Sequence, residues 1–395
     1  MTEEYYRIKR LPPYVFAEVN AAKAAARARG VDVIDLGMGN PDTQPPQAVI
    51  DKLAEVAADP KAHRYSASRG IPGLRKAQAR YYKRRFNVDV NPETEICVTL
   101  GSKEGLANLA QAITAPGDVI LSPNPSYPIH AFGFIIAGAT IRSIPVSPGP
   151  EFFQSLEYQM KYTIPRPTGM VIGYPSNPTA ETVDLDFYKD VVKFAKTHDL
   201  WVISDLAYAE IYFDGNPPPS ILEVDGGRDV AVEFTSMSKT FSMAGWRMGF
   251  AVGNERMIGA LTRVKSYLDY GAFTPIQVAA VAALDGPEEE IAKRREMYKR
   301  RRDVLIESFS RAGWDLPVPN ASMYVWAPVP DKFAHLGAVG FAKKLIEEAG
   351  VAVSPGVGFG EQGETHVRIA FVENEQRIRQ AARQVKSFFQ KSETE

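Results

Sequence analysis

Only one cysteine occurs among the 395 residues, Cys97. A lone cysteine excludes an intramolecular disulfide, and its place in an apolar strand-like run makes it a small core residue. Long hydrophobic runs are lacking too: the most apolar stretch, Ala131 to Ile141, is too short to span a bilayer. The opening residues Met1-Thr-Glu-Glu-Tyr-Tyr-Arg hold no apolar signal core. An excess of either charge is missing, with a formal net charge of -1, which argues against a general polyanion binder. The basic run Lys299–Arg302 reads as a solvated helix face. Nucleotide fingerprints fail as well. Gly101-Ser102-Lys103 has no P-loop spacing, and Gly37-Met-Gly39-Asn-Pro-Asp42 puts Asp where a third glycine belongs. What remains is a cytoplasmic metabolic enzyme without nucleic-acid or membrane partners. Its length suggests more than one domain, and 45% hydrophobic with 24% charged residues is ordinary for a globular chain.

The most informative stretch present is Ser236-Met-Ser-Lys-Thr-Phe-Ser-Met-Ala-Gly-Trp-Arg247-Met-Gly249. A lysine that bonds covalently to an aldehyde cofactor needs phosphate donors nearby to hold that cofactor. Ser236, Ser238 and Arg247 surround Lys239 as such donors, and the planar fork of arginine suits two phosphate oxygens. Ser236-x-x-Lys239 also fits the S-x-x-K motif of serine β-lactamases, but the K-T-G partner is absent and only Ser204-Asp205-Leu206 approaches S-D-N. The pattern resembles the cofactor-lysine signature of fold type I, pyridoxal-phosphate (PLP) dependent aminotransferases.

The resemblance implies roles that other residues can be matched to. Lys239 would carry the cofactor. Asp205 ends the apolar run Leu200–Ser204, a buried strand, and would pair with the pyridine nitrogen so that the ring stays protonated. Tyr208 and Asn177, the latter in Tyr174-Pro-Ser-Asn-Pro-Thr179, would reach the phenolic oxygen, and Tyr127 would stack on the ring. Gly101, Ser102 and Lys103 follow a strand-like run and open an apolar-periodic helix, where free N–H groups and the helix dipole attract a phosphate; Ser102 is a reasonable helix N-cap. Arg368, in the alternating segment Thr365–Ala370, would clamp the substrate α-carboxylate, with a backbone donor from Gly39. His366 shares that strand face and reads as structural. No metal is called for.

Strand and helix patterns alternate from about Tyr65 to Thr274, with strand-like runs near Ile96, Val119, Ile141, Val171, Val202, Val232 and Phe250. That alternation implies an α/β fold, a mostly parallel sheet sandwiched by helices, with motif residues at strand ends. From Pro287 a long charged helix leads to a smaller α+β unit: strand Met323–Trp326, helix Val339–Ala349, strands near Val353 and Val367, and a last helix from Glu375. The expected division is residues 1–45 as arm and part of the small domain, 46–286 as the large PLP-binding domain, and 287–395 as the small domain.

Within the family the chain looks most similar to the bacterial glutamate–pyruvate subgroup, through segments 10–16, 65–72, 101–105, 265–275 and 321–326. That implies transfer of an amino group between an L-amino acid and a 2-oxo acid, alanine with 2-oxoglutarate against glutamate with pyruvate. LL-diaminopimelate, methionine and aromatic aminotransferases and some C–S lyases share the signature. No arginine stands between Lys265 and Pro287, against a strict aspartate enzyme. The family builds its site at a homodimer interface, so Tyr65 would reach the partner's cofactor phosphate while Tyr270 and Thr274 face across. A PLP-sensing transcription regulator would need a DNA-binding module ahead of the first motif, where about ten residues stand.

Overall fold

In the computed structural model, residues 5–13 and 15–392 are described. Tyr14, inside the 10–16 motif, lies outside them, as do the first four and last three residues of the expected terminal segments.

Seven strands form the main sheet: β2 (Ile96–Thr99), β3 (Val119–Pro123), β4 (Thr140–Ile144), β5 (Gly169–Ile172), β6 (Trp201–Asp205), β7 (Ala231–Ser236) and β8 (Gly249–Gly253). A short β1 (Ile34–Asp35) precedes them. Their order is β2-β8-β7-β6-β5-β3-β4, parallel except for β8. All seven expected runs are in it. The strands read as continuous apolar stretches because both faces are covered. Ile120, Val171, Ile203 and Val232 pack with Leu106, Leu109, Phe134 and Leu261 on one face. Leu121, Met170 and Val202, each one position away on its strand, pack with Tyr82, Phe152, Tyr188 and Val191 on the other.

The parallel strands all end at the same edge of the sheet, which is where this architecture holds its ligands. The segments that follow β2, β3, β5, β6 and β7 carry Ser102, Tyr127, Asn177, Tyr208 and Lys239.

A second apolar cluster joins the two ends of the chain. Val19 and Ala26 of the helix Phe16–Ala28 pack with Phe341, Ile346, Ile378 and Phe389. Here the sheet is antiparallel, ordered β11 (Ser354–Pro355), β12 (His366–Ala370), β9 (Tyr324–Pro328). The expected strand near Val353 is two short ones, β10 (Val351–Ala352) and β11. β10 pairs parallel with β1, a contact the sequence pattern did not announce. The charged helix spans Glu288–Ser310 and the last Glu375–Lys391.

Candidate active site

One cleft of about 690 Å³ gathers the motif residues: Ser102, Lys103, Tyr127, Asn177, Asp205, Tyr208, Ser236, Ser238, Lys239, Arg247, Gly39 and Arg368 all line it. Three expected residues do not: Gly101, Tyr65 and Tyr270. Tyr65 and Tyr270 are 86% and 63% exposed and pack ring to ring, 4.6 Å between centroids, outside the cleft lining.

At one end stands a cradle of donors. The helix Ser102–Ile113 begins after Gly101, which holds the N-cap position in place of the expected Ser102. Gly101 has φ 86°, and a Cβ there would lie 2.2 Å from Arg247 Nη2, so glycine lets the guanidinium close on the helix start. Arg247 is fixed by bonds to the Ala244 carbonyl (2.9 Å) and the Leu100 carbonyl (3.3 Å). Ser236 caps the short helix Met237–Thr240, accepting from the Ser238 amide at 3.2 Å, and so sets Ser238 and Lys239 on its first turn. Hydroxyls, cations and a helix N-terminus facing one space are the donor set a phosphate dianion needs.

At the other end is a carboxylate. Asp205 finishes β6, accepts from the Ala207 amide (3.1 Å), and meets His130 Nε2 at 2.9 Å from its Oδ2. His130 is buried, with its Nδ1 unpartnered among the described residues. A carboxylate held by a buried histidine suits a protonated ring nitrogen. His130 was missed in the sequence. It lies three positions after Tyr127, on the first turn of the helix Pro128–Ala137, where helical spacing alone could have suggested a shared side.

Between the two ends lies Lys239. Its Nζ donates to the Gly39 carbonyl. Burial pushes its pKa down; Tyr324 works against that fall, while Arg368 and Arg247 add to it. Tyr127 is pushed up to about 12, chiefly by burial. Tyr208 is raised well above the usual value, by burial first and then by Tyr324. Both stay protonated donors near neutral pH.

Arg368, 6% exposed on β12, donates to Asn177 Oδ1 (2.8 Å) and to the Gly37 carbonyl (2.7 Å), while its buried Nε has no partner among the described residues. Its guanidinium lies over the rings of Tyr324 (4.0 Å) and Phe359 (4.6 Å). Held on these sides, it is a preset fork for a carboxylate. His366, on the same strand, stacks on Trp326 at 5.1 Å.

Tyr324 is the second residue the sequence did not single out, although its segment 321–326 carried the subgroup resemblance. It sits in the cleft with its hydroxyl 3.0 Å from that of Tyr208.

The donor cradle, the desolvated amine and the histidine-held carboxylate, set at the strand ends of a mostly parallel sheet, define a PLP-dependent enzyme of fold type I. The chain belongs to the aminotransferase class I and II family, whose model matches residues 31–385. It is 54% identical over 98% of its length to the glutamate-pyruvate aminotransferase AlaC of Escherichia coli (strain K12), covering 93% of that protein. With the LL-diaminopimelate aminotransferase of Moorella thermoacetica it shares 42% identity, over 99% of this chain and 100% of that one. The solved apo-BacF structure from Bacillus subtilis matches with a TM-score of 0.91 at 36% identity, covering 98% of both chains. The chain is a PLP-dependent transaminase.

Proposed function

We propose that the enzyme exchanges the amino group of alanine with 2-oxoglutarate, giving pyruvate and glutamate, as a cytoplasmic homodimer. Support for the substrates is the 54% identity to a glutamate-pyruvate aminotransferase, against 42% to an LL-diaminopimelate enzyme. Support for the chemistry is one observation: Lys239 is a buried amine whose pKa burial lowers, standing between a donor cradle and an arginine fork.

When bound, PLP supplies an aldehyde for the substrate amine and a ring that draws electrons from the α-carbon. The remaining work falls to side chains. Ser102, Lys103, Ser236, Ser238 and Arg247, with the amides after Gly101, hold the phosphate. Asp205, oriented by His130, keeps the ring nitrogen protonated. Tyr208 and Asn177 address the phenolic oxygen, and Tyr127 covers a ring face. Arg368 and the Gly39 backbone take the α-carboxylate. Lys239 in its amine form accepts the α-proton and gives it back one position away, which a lysine of ordinary pKa could not do near neutral pH. Tyr65 and Tyr270 reach across to the partner's site; their exposure and mutual stacking suit residues waiting for a second chain.

The test is the visible absorption of the holoenzyme before and after single amino acids. Alanine and glutamate should each bleach the band, and pyruvate should restore it. Bleaching by diaminopimelate or an aromatic amino acid with none by alanine would move the substrate assignment and leave the chemistry.

A further inference from the structure

Arg368 commits N–H bonds to two oxygens, Asn177 Oδ1 at 2.8 Å and the Gly37 carbonyl at 2.7 Å. A guanidinium is planar and rigid, so the tilt of its fork follows from where those oxygens stand. Gly37 lies just past the end of β1, where the strand ladder stops. Leu36 still has backbone partners, its amide donating to the Ala352 carbonyl (2.9 Å) and its carbonyl accepting from the Ala370 amide (2.7 Å). Among the described residues, the next amides, of Gly37 and Met38, find no backbone carbonyl. Asp35 takes both. Its Oδ1 accepts from Gly37 at 3.0 Å and from Met38 at 3.3 Å, the local bonding by which an aspartate fixes a turn.

The other oxygen of Asp35 accepts from Lys23 Nζ at 2.8 Å, and Lys23 is itself buried on the helix Phe16–Ala28. Asp35 lines the cleft, yet each of its oxygens already has a donor within the chain, so it is not placed to bind a substrate. What it holds is a turn that presents carbonyls to two functional side chains. That of Gly37 faces Arg368 and also accepts from the Ser354 hydroxyl at 2.8 Å, and that of Gly39 accepts from Lys239.

We propose that Asp35, steadied by Lys23, is a positioning residue: by fixing the turn Gly37–Gly39 it sets the Arg368 fork and so the affinity for the substrate α-carboxylate. The inference rests on the reading of Arg368 as the clamp for that carboxylate. Charge alone argues for the opposite effect. An anion removed from the cleft and a lysine set free would each draw a carboxylate in more tightly. The sign of the change therefore separates positioning from electrostatics.

The experiment measures KM and kcat for alanine, and the inhibition constant of propionate, on the holoenzyme of the wild type, Asp35→Ala, Asp35→Asn, Lys23→Met and Arg368→Lys. Propionate offers a carboxylate and no amine. Asp35→Ala should raise the alanine KM and the propionate constant about tenfold each, the scale of a lost bond to a charged group, and change kcat less than about twofold. Asp35→Asn can still accept from both amides and should stay within about threefold of the wild type. A propionate constant that is unmoved or lowered in Asp35→Ala overturns the proposal, as does a loss confined to kcat. Should Asp35→Ala not fold, Lys23→Met decides: a propionate constant raised about threefold or more supports the proposal, and one at the wild-type value overturns it. Arg368→Lys separates the two readings. If it raises both constants while the Asp35 and Lys23 variants do not, the clamp stands and the positioning role falls; if it moves neither, the clamp fails and the proposal with it.

Discussion

Lys239 illustrates how a residue's chemistry is set by its surroundings. On a solvated loop it would be a cation. In the cleft, burial favours the neutral amine, and the two arginines reinforce the effect. Lys239→Ala should cut turnover of alanine with 2-oxoglutarate by at least about a thousandfold, as loss of a positioned base does. The variant should still take up PLP, because the phosphate donors remain; turnover near the wild-type level would displace Lys239 from the role. Residue types and order were enough to single out Lys239, Asp205, Asn177, Arg247 and Arg368, which line one cleft, since each sits in a short motif that is local in sequence. His130 and Tyr324 escaped because their meaning is a contact. One meets Asp205 across 75 positions, the other Tyr208 across 116. Nothing in Pro128-Ile-His130 or Ser322-Met-Tyr324 states those partners. Ser102 was misplaced by one position for a related reason: the positive φ of Gly101 and the approach of Arg247, which demand glycine at the cap, are features of the fold.

At the scale of elements, the apolar runs predicted the main sheet well because strands buried on both faces need no polar alternation. The short pair β1 and β10 was invisible, since two residues carry no period. One element holds a surprise in its middle. Glu233, on β7, is buried, and both of its carboxylate oxygens are taken: Oε1 by Tyr82 (2.9 Å) and Ser220 (2.6 Å), Oε2 by Ser204 (3.1 Å) and the Ile221 amide (3.2 Å). Burial raises its pKa from the usual 4.5 to about 7, against the pull of these four bonds. The folded state thus binds this proton more tightly than the unfolded chain does. The stability it contributes is present in full below the unfolded value and is lost as pH rises through the folded one, on the order of 3 kcal/mol in all. Between about pH 5 and about pH 8 the melting temperature of the wild type should therefore fall relative to that of Glu233→Gln, which cannot titrate. Parallel melting curves across that range would show that Glu233 stays ionised.

The whole molecule has a face that this single chain leaves open: Tyr65, Tyr267, Leu268, Tyr270 and Phe273 are all exposed. If sites are shared between two chains, defects in different halves of the site should complement. Mixing unfolded Lys239→Ala and Tyr65→Ala chains and refolding them together should give turnover above that of either variant alone, because a mixed dimer rebuilds one intact site. Strictly additive rates would mean that each chain works by itself. Sequence reading reached the second chain only through family resemblance, since exposure of a tyrosine is a property of the fold. The joining of the chain's two ends has a consequence for synthesis. The phosphate cradle and Lys239 lie within residues 101–247, whereas Arg368 is bonded to the Gly37 carbonyl 331 positions earlier and the Ala370 amide to that of Leu36. On the ribosome, which releases the N-terminal part first, the helix Phe16–Ala28 and β1 must wait for nearly the whole chain before their partners exist. On the roles proposed above, the half that grips the cofactor can be made long before the half that recognises the amino acid, so a stalled or truncated product would hold Lys239 without Arg368.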